Sequence, residues 1–212
     1  MAALCSVVVI LAAACSGTRT GEPNAIESSP ESSGASSVAK YGAPSVPESL
    51  DVKSIIDDAC SALTEDQIAE FPGTLDKKRT SKTTLLSDKK TSCALTFQGG
   101  RYSYGTIGGG VALPRDTYHG ISSIYKSNQQ GSYETFRPVE IADYPAVINS
   151  ESGVGQGECR LSVGLRDDTA YRISTLFSTE HPDYDEPCKI AEKFASFVVQ
   201  NLKDGQLGRT AR

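Results

Sequence analysis

The sequence has only two histidines, no Cys-x-x-Cys pair, no Gly-x-Ser-x-Gly elbow and no His-Glu-x-x-His helix motif. Structural zinc sites draw on close-spaced thiolates and hydrolytic ones on such elbows or paired histidines, so the common signatures of metal ligation and acyl transfer are missing. Charge of one sign is also scarce in runs. The 21 basic residues against 26 acidic ones leave a net charge of −5, and the cations lie singly or in short groups such as Lys77-Lys78-Arg79. No extended positive stripe is available to neutralise phosphates, and nucleic acid is not an expected partner. Large apolar side chains are sparse over the first fifty residues apart from one terminal stretch, which leaves about 160 residues to build one core.

That terminal stretch, Ala2 to Ala14, is too short to span a bilayer as a helix but suits the apolar core of a secretory signal, with small residues just ahead of Cys15. Ala12-Ala13-Ala14-Cys15 resembles a bacterial lipobox, in which the Cys is diacylated and the peptide is then cut immediately before it. Leu11 lies one position further from the Cys than the Leu usual in such signals, and Met1 to Val9 carries no basic residue, which is expected to reflect a translation start upstream of Met1. The alternative is an ordinary cleavage site and a freely secreted chain. Cysteine arithmetic favours lipid: of six Cys, Cys5 leaves with the signal and Cys15 is modified, so an even four remain. The expected organisation is a signal peptide over 1–14, lipidated Cys15 with a disordered tether to 49, one globular domain over 50–205 and a polar tail over 206–212. The membrane is then a partner through the lipid, on the extracytoplasmic face. The tether is Ser-, Gly-, Pro-, Ala- and Glu-rich, and as a flexible coil it reaches roughly 30 Å.

Within the domain, Thr64-Glu65-Asp66-Gln67 reads as a capping box opening a short helix that Pro72-Gly73 ends. Lys77 to Lys90 lacks periodicity and reads as a surface loop or weak strand. Strict alternation marks strands at 92–98 and 158–166; further strands are expected at 101–113, 134–141, 144–150 and 170–178. A short helix is expected to open at Pro114-Arg115-Asp116 and to bury Ile121, Ile124 and Tyr125. A last helix starts at Pro187, its apolar stripe formed by Ile190, Phe194, Phe197, Val198 and Leu202, and Gly205 stops it. The pattern predicts an α+β fold: a mainly antiparallel sheet of five or six strands covered by N- and C-terminal helices.

Cys60, Cys93, Cys159 and Cys188 allow three connectivities. Cys60 with Cys93 and Cys159 with Cys188 is favoured, because each bridge then links a helical segment to a neighbouring strand. In the chain-entropy view, loops of about thirty residues contribute roughly 3 to 4 kcal/mol each. Tyr102, Tyr104 and Tyr118 are candidates for lining a ligand groove, against ordinary packing on a sheet face. His181, Asp183 and Asp185 are the weak candidates for a metal, against a solvated loop feeding an acidic helix start. Gly105 and Gly108 to Gly110 lack the spacing of a dinucleotide or P-loop cradle and read as a bulge or close approach of backbones. No residue is expected to be catalytic, and no cofactor is expected.

Taken together, the lipobox-like end at Cys15, Asp58-Ala59-Cys60-Ser61-Ala62-Leu63-Thr64, Cys93, Asp143-Tyr144-Pro145-Ala146-Val147, Cys159 and Glu186-Pro187-Cys188 resemble the actinobacterial lipoprotein family known as domain of unknown function 3558. Ala59 stands where a Pro is frequent in that family, and Ala94-Leu95 where an acidic residue and Trp are usual. The resemblance implies a membrane-anchored envelope protein of a Gram-positive actinobacterium and brings no activity or catalytic residue. The expected role is a non-enzymatic binding or accessory module for an envelope ligand or neighbouring protein. The alternatives are a metal-dependent or hydrolytic envelope enzyme built on His181, Asp183 and Asp185, or a purely structural component.

Overall fold

The computed structural model describes residues 39–85, 88–112 and 120–205, all in one compact unit. The signal segment, Cys15, Tyr118, His119 and the tail over 206–212 lie outside the described residues. Among those described, seven strands form one antiparallel sheet: β1 (Thr74–Leu85), β2 (Asp88–Gly99), β3 (Tyr102–Ala112), β4 (Thr135–Ile141), β5 (Tyr144–Ser150), β6 (Glu158–Arg166) and β7 (Thr169–Phe177), in the order β1-β2-β3-β7-β6-β5-β4. Four helices accompany it, α1 (Lys53–Asp57), α2 (Glu65–Ala69), α3 (Ser122–Gln129) and α4 (Pro187–Lys203), with a 3₁₀ turn at Ala59–Ala62. The α+β class holds, but the sheet has one or two strands more than expected.

The additional strand is β1, which occupies the segment read as a loop or weak strand. Its register against β2 runs from Thr74 opposite Gln98 to Leu85 opposite Asp88, with one irregularity after Leu75. The strand is Thr-rich, which favours the pleated backbone, and it lies at the sheet edge. Lysines and an arginine there discourage pairing with another chain. Because Leu75 is the only described apolar side chain of β1 that packs on the core, no alternation is visible in the sequence.

The helices do not cover the sheet as a single layer. α4 packs on β6, β7 and β4, and α1, α2 and the 3₁₀ turn pack on β1 to β3. Their shared core interleaves Leu95, Phe97, Ile107, Leu161, Val163, Tyr171 and Ile173 of the strands with Ile190, Phe194, Val198 and Leu202 of α4. Phe71, just past α2, brings its ring centroid to 5.9 Å from Phe194 and 6.1 Å from Phe97. α3 belongs to the opposite face, where Ile121 at its N-cap buries with Ala170 and Ala43, and Tyr125 meets Phe136 edge-on at 5.0 Å. The expected start of this helix at Pro114 lies outside the described residues; its described turns begin at Ser122.

Order also begins earlier than Leu50. Lys40 donates its amide to Ser122 Oγ at 3.1 Å, Ala43 is buried, and the Val46 amide donates to Asp167 Oδ1 at 2.9 Å. This short strap closes one end of the α3 face over Gly164, whose hydrogen points at Val46 and Ile121. The expected tether therefore stops short of residue 49.

Candidate functional site

Among the described residues, α3 and the strap leave the rest of the α3 face of the sheet uncovered. Alternation along the strands sends Cys93, Leu161, Tyr171 and Ile173 into the α4 core and leaves the intervening residues on this face. Two neighbouring rows follow from the register. One runs Ala94, Gly108, Ser174, Arg160; the next runs Ser92, Gly110, Arg172, Ser162 and on to Val147. Small residues form the floor, so the face sinks into a groove of about 560 Å³, walled by Ile124 of α3 and by Tyr133, Asn149 and Glu151. Arg160 and Arg172 are diagonal neighbours across β6 and β7, a relation that puts such positions roughly 7 to 8 Å apart.

Two mostly buried residues present polar side chains at the groove. Asn149 is 9 % exposed and Ser162 is 4 % exposed, both line the groove, and neither side chain has a hydrogen-bond partner among the described residues. Several buried polar side chains elsewhere are engaged: Thr91 donates to the Ile56 carbonyl, Ser122 accepts from Lys40, and Asn201 makes hydrogen bonds to Ala62 and Gln67. Two adjacent strands thus each bring a polar side chain without a protein partner among the described residues to one concavity, which is how ligand sites place their few orienting polar groups.

The residues singled out in the sequence go elsewhere. Tyr104 is half-buried against the α4 core, its ring over Gly99 and beside Gly73, and it meets His181 edge-on at 5.4 Å. It does not line the groove, as had been expected of it; the irregularity in pairing near Phe97 and Gln98 leaves Tyr104 without a partner on β2 and turns it out of the row. Tyr102 belongs to β3, and Tyr118 lies outside the described residues. His181 is 5 % exposed and stacks flat on Phe177 at 3.7 Å, and its Nδ1 accepts the backbone amide of Asp183 at 2.9 Å. Burial holds its pKa below the usual imidazole range, partly offset by the Asp183 carboxylate. Asp185 lines a separate hollow of about 380 Å³ with Arg137, Lys189 and Glu192 at the start of α4. Among the described residues no group of three His, Cys, Asp or Glu side chains converges, so His181, Asp183 and Asp185 do not form the ligand set considered for them. Disulfides join Cys60 to Cys93 and Cys159 to Cys188, with Cα separations of 4.8 and 5.1 Å, each tying a helical segment to a strand of the sheet.

A family model for proteins of unknown function, DUF3558, matches residues 10–201. The chain belongs to the DUF3558 family. No curated protein and no solved structure matches it. In this DUF3558 chain the groove lies wholly within the matched span, as do both disulfides.

The described lining of this DUF3558 groove carries two guanidiniums, Arg160 and Arg172, and one carboxylate, Glu151. Arg160 has no ion pair among the described residues. Desolvation lowers the pKa of Arg172, although its side chain still reaches solvent, and the guanidinium stays charged at any ordinary pH. Sequence reading sees Arg160, Ser162, Arg172 and Ser174 as the solvent side of two amphipathic strands. What gathers them is the pairing of β7 with both β3 and β6, together with α3 standing at one end as a wall, and neither is written in local periodicity.

Proposed function

We propose that this protein is a lipid-anchored binding or accessory module on the extracytoplasmic face of an actinobacterial cell membrane, non-enzymatic, and holding an envelope ligand in the groove on the α3 face. The lipobox-like string at Cys15 and the Ser/Gly/Pro-rich segment after it support the anchor and its reach. Two disulfides support an oxidising compartment, where such bonds persist. The observation that carries the binding role is the pair Asn149 and Ser162, mostly buried residues that line the groove and have no side-chain hydrogen-bond partner among the described residues. A hydroxyl and an amide held there by two strands of one sheet are pre-positioned, which lowers the ordering cost of binding. Among the described residues no nucleophile paired with a base lines the groove, and His181 is on the other face of the sheet.

Two measurements test this reading. Mass spectrometry of the protein extracted from membranes should find a diacylglyceryl group on Cys15, and an unmodified thiol there removes the anchor. Titrating the isotope-labelled full chain with a fractionated envelope extract should move the Asn149 side-chain amide resonances saturably. Resonances that stay in place at all extract concentrations remove the binding role.

A further inference from the structure

The two disulfides are not buried alike. Cys60 and Cys93, which tie the 3₁₀ turn to β2, are 6 and 3 % exposed. Cys159 is 1 % exposed, but its partner Cys188 is half-buried and lines the hollow of about 380 Å³ at the start of α4. We infer that the Cys159–Cys188 bridge is a thiol-exchange site: a dithiol reductant enters at Cys188 through this hollow and opens the bridge in the folded protein, while Cys60–Cys93 stays closed. This goes beyond the binding role and does not depend on the groove.

Exchange is the attack of a thiolate on one sulfur of a disulfide while the other sulfur leaves. Here the reductant's thiolate bonds to Cys188 Sγ, the Cys159–Cys188 bond breaks, and Cys159 leaves as a thiolate that takes a proton from water. The reductant's second thiol then attacks the mixed disulfide and releases Cys188. The bridge gains two electrons and the dithiol becomes a disulfide. Cys188 is the second residue of α4, where the first-turn amides and the helix dipole favour the thiolate released there. Of the charged groups lining the hollow, Arg137 pairs with Glu192 and Lys189 with Glu186, and Asp185 adds a further carboxylate. Opening the bridge leaves both of its ends held. Cys159 is paired with Thr175 on β7, and its amide donates to Thr175 Oγ1 at 2.9 Å. The Gly157 amide donates to the Tyr184 carbonyl at 2.7 Å, and Pro187, Ile190, Ala191 and Phe194 of α4 are buried independently of the bridge. A monothiol therefore stops at the first step, because Cys159 stays beside the mixed disulfide and closes the bridge again.

The test is alkylation of the folded full chain during incubation with dithiothreitol and no denaturant, read by peptide mass spectrometry so that each Cys is scored separately. Cys159 and Cys188 should be labelled together, roughly tenfold or more faster than Cys60 and Cys93, with the chemical-shift pattern of β6 and α4 retained. The point of entry is read in two variants. The Cys188 thiol left in Cys159→Ser should react with dithiodipyridine roughly tenfold or more faster than the Cys159 thiol left in Cys188→Ser. A variant that fails to fold leaves the labelling of the parent to decide. If all four Cys are labelled at one rate, the bridges open only when the whole domain unfolds and the inference falls. It falls as well if Cys60 and Cys93 are labelled first, or if the Cys159 thiol reacts as fast as the Cys188 thiol.

Discussion

Gln67 and Asn201 form a reciprocal amide pair: Gln67 Nε2 donates to Asn201 Oδ1 at 3.0 Å and Asn201 Nδ2 donates to Gln67 Oε1 at 2.8 Å. Asn201 Nδ2 also donates to the Ala62 carbonyl at 3.0 Å, and Gln67 closes the capping box with Thr64. One buried residue near the end of α4 is thereby tied to the start of the domain. Asn201→Leu keeps the volume but strands the Ala62 carbonyl and the Gln67 amide, which should cost about 2 to 3 kcal/mol. Urea denaturation should show a lower midpoint with an unchanged slope; an unchanged midpoint would show that the network contributes nothing.

His181 makes stability depend on pH in the acid range. Its folded pKa is depressed by burial against Phe177 and Tyr104, so the unfolded chain takes up the proton first. The stability it lends is complete above about pH 6.5, the unfolded value, and is lost progressively as pH falls below it. Melting temperature should therefore drop from pH 7 to pH 5, and His181→Gln should flatten that part of the profile while lowering stability at neutral pH through loss of the ring stack.

Local signals made much of the fold legible. The Thr64 to Gln67 box, the strict alternation of β6, the tight turn at Ala142-Asp143, the Pro187 helix start and both disulfide pairings follow from residues near one another in sequence or from the chemistry of Cys. β1 was not legible, because an edge strand with little apolar contact has no alternation to read. The site was less legible still. Tyr104 drew notice as an aromatic in a strand, yet its position at a pairing irregularity commits it to the core. The groove is made of residues whose individual meaning is neutral: glycines, serines and two arginines on outward strand positions. Their value arises from adjacency across β3, β7, β6 and β5, a long-range relation that no window of sequence contains.

The hairpin between β4 and β5 turns on Ala142 and Asp143, both at positive φ, 49° and 71°. That is the primed two-residue turn suited to the twist of paired strands, but Ala has no local means of offsetting the left-handed conformation. Ala142→Asn should stabilise the fold by about 0.5 to 1 kcal/mol. The check is a higher melting temperature with an unchanged chemical-shift pattern in β4 and β5; a decrease would mean that the Ala142 methyl packs more usefully than its half-buried position suggests.

Adjacent glycines of β3 should respond oppositely to the same substitution, because they face opposite sides of the sheet. A Cβ on Gly109 would lie 2.5 Å from Tyr171 Oη and 3.0 Å from Phe194 Cε1, both in the packed core. Gly109→Ala should cost about 1 to 3 kcal/mol as those rings are displaced. On Gly108 the nearest atom is Ser174 Oγ at 3.2 Å, on the groove floor, so Gly108→Ala should leave stability nearly unchanged while narrowing the groove and weakening binding there. The Tyr171 hydroxyl is buried without a hydrogen-bond partner among the described residues. Tyr171→Phe removes that stranded group and the atom nearest the added methyl, so in a double-mutant cycle it should recover part of the Gly109→Ala loss and none of the Gly108→Ala binding defect. Equal recovery of both would contradict the assignment of the two glycines to separate faces.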